Sequence, residues 1–333
     1  MICCKITYYK RSGHNFTACF FQFFFKKMLF LQAINIFIME NGKQMSWFVK
    51  FLLLAAFAMM MLIVVSIVIF IFFGGRYTSI NAQLAIIALQ NVLVFMAPVV
   101  ILALMCKATE KRPVAQSLWM AKAPSFKSIA LVVLVYIVAL PAMNWLVDWN
   151  SGLHLPQWMR GLENFLREME DSAQGVTSDM LMTKTWSGML LRFLLIGVLT
   201  GMGEELFFRA GMLGSMHFSR VQRHVAVWTV AFIFSAIHMQ FFGFVPRLLL
   251  GAWFGYVMLW SGEVWTPIIA HSLNNGLVVV FTFLSQNKYI NDNMLETLGV
   301  PEKGEMPWLA IGSVLVTALF IWLFMRKKNN QEV

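Results

Sequence analysis

From about residue 49 onward, long unbroken apolar runs alternate with short polar stretches. A helix needs about 20 apolar residues to cross a ~30 Å hydrocarbon layer, and most of these runs reach that length. The pattern predicts eight spans, near 49 to 73, 82 to 105, 128 to 147, 188 to 214, 224 to 241, 245 to 261, 264 to 285 and 307 to 325. The runs are continuously apolar and lack the ten-residue alternation of a barrel strand. An all-α, polytopic membrane bundle is therefore expected.

The polar joints add an orientation. With both termini cytoplasmic, twelve basic residues, Lys107, Lys111 and Arg112 among them, fall inside, against eight outside, Arg160 and Arg247 among them. Loops rich in Lys and Arg stay on the cytoplasmic side, so the count favours that assignment, and the reading is a multi-pass protein of a bacterial inner or plasma membrane. Composition agrees: 59% of the 333 residues are hydrophobic and only 13% charged, far from a soluble domain. The net charge of +10 lies beside apolar runs, which points to lipid and excludes a nucleic-acid partner. The four cysteines show no C-x-x-C spacing, so neither disulfides nor a thiolate metal site is expected.

Four regions follow. Residues 1–45 form a weakly structured extension, whose polar stretch Met39 to Met45 resembles a start, so the read start is either mis-assigned or precedes an interfacial anchor. Residues 46–187 hold the first spans and a long outer loop. In that loop Trp158, Leu162, Phe165, Leu166 and Met169 recur at helical spacing between charges, the mark of an amphipathic helix on the membrane surface, either anchor or lid. Residues 188–285 hold the embedded polar groups. Residues 286–333 add an outer loop, a last span and a basic tail. No internal repeat is visible.

Ionisable side chains at membrane depth cost about 2.5–3.5 kcal/mol each on insertion scales, so they need a reason. Here they concentrate in three spans. The fourth reads Gly201-Met-Gly-Glu-Glu-Leu-Phe-Phe-Arg209. Glu205 and Arg209, four apart, share a face and can form an ion pair. Glu204, ~100° round the helix, is left for other work as a general base. The fifth span supplies Phe234 and His238. Glu204 and His238 are each 17 positions from Val221 in the intervening turn, so an antiparallel hairpin brings them to one height. In the seventh span His271 and Asn275 share a face, as two donors to an oxyanion would. A mismatch in depth remains: Glu204 and His238 lie ~25 Å from their turn, His271 ~10 Å from its span's inner end. A protruding turn would absorb it.

The ordered set Glu-Glu-x-x-x-Arg, Phe-x-x-x-His and His-x-x-x-Asn, each on its own apolar helix, resembles the CAAX-protease and bacteriocin-processing (CPBP) membrane proteases, the family of the type II CAAX prenyl endopeptidase. The resemblance covers about residues 188 to 285. Ala210 follows the arginine where the family often has Gly. By resemblance Glu204, Glu205, Arg209, His238, His271 and Asn275 are the site residues. It implies intramembrane hydrolysis of a peptide bond in a CAAX-type, bacteriocin-precursor or membrane-protein substrate. Two schemes stay open. In the preferred one, no cofactor is used: Glu204 is the base, His238 holds the water, and His271 and Asn275 meet the oxyanion. In the other, a metalloendopeptidase, Glu204, His238 and His271 ligate Zn²⁺. A different class is a non-catalytic immunity or scaffold protein, or an ion carrier. A carrier would show repeated halves or interrupted helices, and a proton relay has no use for Asn275.

Overall fold

The computed structural model describes residues 45–74, 79–216, 220–290, 297–302 and 304–329, so the expectation for the first 44 residues lies outside it. All regular structure among the described residues is helical. Helix α1 is Trp47–Phe73, α2 Ile80–Glu110, α3 Phe126–Ser151, α4 Arg160–Leu181 and α5 Trp186–Ser215. Then come α6 Arg220–Ala236, α7 Phe244–Ser261, α8 Trp265–Gln286 and α9 Trp308–Asn329.

The starts are set by polar caps. Ser46, Ser79, Ser125 and Thr185 each accept a hydrogen bond from the backbone N–H three residues on, satisfying an orphan donor of the first turn. At the other end, α1 stops at Gly74 and α7 at Gly262, both with left-handed φ, where a residue without Cβ is unstrained.

Six helices are long and apolar enough to cross a membrane: α1, α2, α3, α5, α7 with the turn before it, and α8. The other two expected spans are helical but shorter as apolar elements: α6 has 17 residues and α9 is apolar over Trp308–Trp322. Six spans rather than eight thus meet the length criterion among the described residues. The fifth expected span ends early because the chain turns at 237–243, where Met239 takes a positive φ and Phe241–Gly243 forms a 3-10 turn.

Packing runs in pairs: α6 against α7, α3 against α9, and α5 against α8. Pro141 removes one donor from the hydrogen-bond ladder of α3, and Ser313 of α9 bridges the next step, its hydroxyl accepting from Ala142 N at 3.4 Å and donating to Val138 O at 2.5 Å. At the opposite ends of α1 and α2, Lys50 and Glu110 pair at 2.8 Å, both buried. The amphipathic helix α4 turns apolar residues outward, with Leu162 44% and Phe165 56% exposed and Trp158 of the preceding 3-10 turn 82%, while Glu163 and Glu170 face the protein. Such a helix suits a lipid surface rather than water.

Candidate active site

Helix α5 carries the acidic motif and is not wound uniformly. Two π segments, Phe193–Leu199 and Leu206–Met212, flank the α-helical Thr200–Glu205. Wider turns of this kind leave the i→i−4 ladder out of phase and recur at functional sites. Glycines let α8 come close. A Cβ on Gly197 would stand 3.0 Å from Gly276 Cα, and one on Gly201 2.8 Å from Ser272 Oγ and 2.9 Å from its backbone N. This is small-residue packing of membrane helices, backbone against backbone. On a third side Asn91, in a π segment of α2, donates to Thr200 Oγ1 at 3.1 Å.

That approach places Glu205 against His271. Nδ1 of His271 lies 2.7 Å from Glu205 Oε1, and the other oxygen of Glu205 lies 3.0 Å from Nε of Arg209. The expected Glu205–Arg209 pair is therefore present, with a histidine added to it. Both of its members are 0% exposed. A buried pair needs further contacts to offset desolvation. Arg209 finds them in Gly251 O, to which Nη2 donates at 2.9 Å, and in the rings of Phe234 and Phe254, 4.8 Å and 5.4 Å from its Cζ.

The second ring nitrogen of His271 faces Glu204, Nε2 to Oε2 3.7 Å. One imidazole thus lies between the paired glutamates. Phe254 stacks on it at 4.9 Å and 16°, fixing its plane. Because Glu205 beside Arg209 acts as acceptor, Nδ1 carries the hydrogen in neutral His271, and Nε2 turns a lone pair towards Glu204.

Residues equally distant from the α5–α6 turn do stand at one height. Phe208 and Phe234, each 13 positions from Val221, meet at 5.2 Å. His238 itself lies in the turn beyond α6 rather than within a helix. Its Nδ1 donates back to Phe234 O at 2.8 Å, which leaves Nε2 of the neutral ring as an acceptor. The imidazole that meets Glu204 is that of His271, and Phe234 edges both histidines, at 5.2 Å and 6.0 Å. Asn275 is half-buried one turn along α8 from His271. Its Oδ1 accepts from Asn274 Nδ2 at 3.1 Å, so its own amide is the end that can donate.

The depth mismatch closes without a protruding turn. Trp119 donates from Nε1 to Gly214 O at 3.4 Å and accepts from Val264 N at 2.9 Å, so the end of α5 and the start of α8 are held at one level. Glu204 is then ~15 Å and His271 ~10 Å from that level. A glutamate side chain spans the difference.

Three groups beside the site were hidden in the sequence. Arg247, in the first turn of α7, is within electrostatic reach of Glu204 and His238. Glu170 of α4 accepts from Phe242 N at 2.9 Å. Asn150 of α3 brackets the same turn, donating to Phe241 O at 3.2 Å and accepting from Val245 N at 2.8 Å. Arg247 was legible only as one of the basic residues counted on the outer side, and Glu170 only as part of a polar helix face.

No group of three His, Cys, Asp or Glu among the described residues is placed to hold a metal ion. The expected zinc set of Glu204, His238 and His271 is not such a group: Glu204 and His271 approach at 3.7 Å, while His238 makes contact with neither and lies against Phe234.

Apolar helices long enough to span a bilayer, with a buried carboxylate–imidazole cluster between them, define a membrane-integral protein with the parts of a hydrolase. Residues 186–277 match the family model described as type II CAAX prenyl endopeptidase Rce1-like, a membrane protease family. This stretch of the chain is similar to an Rce1-like domain, in line with the resemblance of its motifs. It takes in α5 to α7 and α8 as far as Leu277. Comparison with curated proteins and with solved structures gives no match.

Proposed function

We propose that the protein is an intramembrane endopeptidase that hydrolyses a peptide bond with water activated by the Glu204–His271 couple. The observation that carries this reading is the single imidazole between two carboxylates, 2.7 Å from Glu205 and 3.7 Å from Glu204, at membrane depth inside the Rce1-like domain. Arg209 holds Glu205, Glu205 orients His271, and Nε2 is thereby aimed at Glu204. This is the logic of a carboxylate-positioned histidine.

In the reaction the water oxygen bonds to the scissile carbonyl carbon while its proton passes to the Glu204–His271 couple. His238, whose Nε2 accepts, steadies the water. Asn275 Nδ2 donates to the oxyanion. Collapse of the tetrahedral intermediate breaks the C–N bond, and the couple returns its proton to the leaving amine. The cytoplasmic termini read from the loops and a bacterial membrane belong to the same proposal, as does a CAAX-type, bacteriocin-precursor or membrane-protein substrate.

The test uses the full chain in liposomes with two quenched-fluorescent probes, a prenylated Cys-aliphatic-aliphatic-X peptide and a bacteriocin-leader peptide. Cleavage of either by the wild type, lost in a folded Glu204→Gln variant, is the expected result. Cleavage that survives Glu204→Gln overturns the mechanism. Failure to cleave either probe, with biological function intact in Glu204→Gln, returns the protein to the immunity or scaffold class.

A further inference from the structure

Arg247 is placed where a cation is unwelcome. It stands in the first turn of α7, at the positive end of the helix dipole, within the membrane-spanning region, where unneutralised charge is costly. Nη2 donates to Gln240 Oε1 at 2.6 Å, but Nη1 is buried and has no hydrogen-bond partner among the described residues. A buried guanidinium edge left open in this way calls for an anion.

The acids within its electrostatic reach are Glu170 and Glu204. Gly243 shows where the first of them converges with Arg247: the point its absent Cβ would occupy is 3.3 Å from Arg247 Nη2 and 3.6 Å from Glu170 Oε1. Glu170 Oε2 is already engaged by Phe242 N. Glu170 belongs to α4, a helix whose outer face is apolar and exposed. A carboxylate on a separate, surface-lying element thus stands near the cation and within its electrostatic reach, without forming an ion pair with it.

We infer that Arg247 recognises a carboxylate of the substrate, and that Glu170 stands in for that carboxylate in the resting protein. The inference rests on the endopeptidase reading and deepens it by giving the substrate an anionic group near the scissile bond. Replacing one carboxylate by another keeps the local charge constant, so the exchange avoids the cost of burying a new net charge. Arginine's planar fork suits a carboxylate, which it can hold through two parallel bonds. The group can be a C-terminal carboxylate or an acidic side chain.

The experiment compares the probe peptide cleaved by the wild type as a free acid, as its C-terminal amide, and with Glu or Gln after the scissile bond. The wild type should favour one anionic form over its neutral counterpart by roughly 10- to 100-fold in kcat/KM, the scale of a charge-assisted hydrogen bond. Preference for the free acid identifies a chain terminus, and preference for Glu over Gln an acidic side chain. Arg247→Gln should bring the ratio near one, Arg247→Lys should keep part of it, and Glu170→Gln should lower KM for the anionic form. Equal cleavage of all forms by the wild type, or a ratio that persists in folded Arg247→Gln, overturns this inference alone. An unchanged KM in Glu170→Gln overturns the stand-in role. Failure of the wild type to cleave any form removes the endopeptidase reading, and this inference with it.

Discussion

Substituting Glu205 by Gln tests what holds the site together. The change removes the charge that faces Arg209 at 3.0 Å and leaves a fully buried guanidinium. Breaking a buried pair from one side costs about 3–5 kcal/mol. The hydrogen bond to Gly251 O and the rings of Phe234 and Phe254 remain, so the loss should lie near the lower end, about 3 kcal/mol. At ~2–4 °C per kcal/mol the Tm falls by roughly 6–12 °C. Thermal unfolding in detergent, followed by tryptophan emission, measures it. A buried pair replaced whole by apolar residues is often neutral, so Glu205→Leu/Arg209→Leu should regain most of the loss while staying inactive. A Tm for Glu205→Gln within about 2 °C of the wild type, or a double variant as unstable as the single one, refutes the reasoning.

Further outcomes follow from other parts of the site. Asn275→Ala should fold and insert normally yet lose about 10²- to 10³-fold in kcat, the usual loss when one oxyanion donor is removed, as measured on the cleaved probe. Gly201→Ala would set a Cβ 2.9 Å from the backbone of Ser272. The helices must part, so Tm should drop by the equivalent of about 1–3 kcal/mol and activity should fall with it. Glu163 lies outside the spans. Hydrogen bonds from His154 first, then Arg167, hold its carboxyl down from the ordinary 4.5 to about 2. A depressed value means the clamp on residues 153–155 is complete above 4.5 and fades as pH falls towards about 2. Limited proteolysis of that loop across the interval should show acid-induced opening, absent as a pH effect in Glu163→Gln.

The membrane bundle was legible because hydropathy reports lipid directly, and the Glu205–Arg209 pair because four residues bring side chains together on a helix. The helical spacing of Trp158, Leu162 and Phe165 likewise announced α4, and the structure adds that its inward face is acidic. The partner of His271 was not legible. It depends on how closely α5 and α8 approach, which glycines at 197, 201 and 276 set jointly, and no single-helix periodicity encodes a joint distance. His238 was read as helical because apolar residues surround it, whereas the chain turns there, with α6 tied to α7 by Ser235 Oγ donating to Phe244 O at 2.7 Å. The π segments escaped for a related reason. One extra residue in a turn leaves no mark on composition.

The double grip of Trp119 makes a loop residue the gauge of the register between α5 and α8. Its indole holds the end of one helix and its carbonyl the start of another, while Lys122 anchors the adjoining turn through Ser261 O at 2.8 Å. A slip of α8 by one turn, about 5.4 Å, would carry His271 out of reach of both glutamates without altering either helix. The alignment of the two glutamates with His271 is thus kept from the far end of the bundle, by residues outside that cluster, much as a vernier is read away from the jaws it sets.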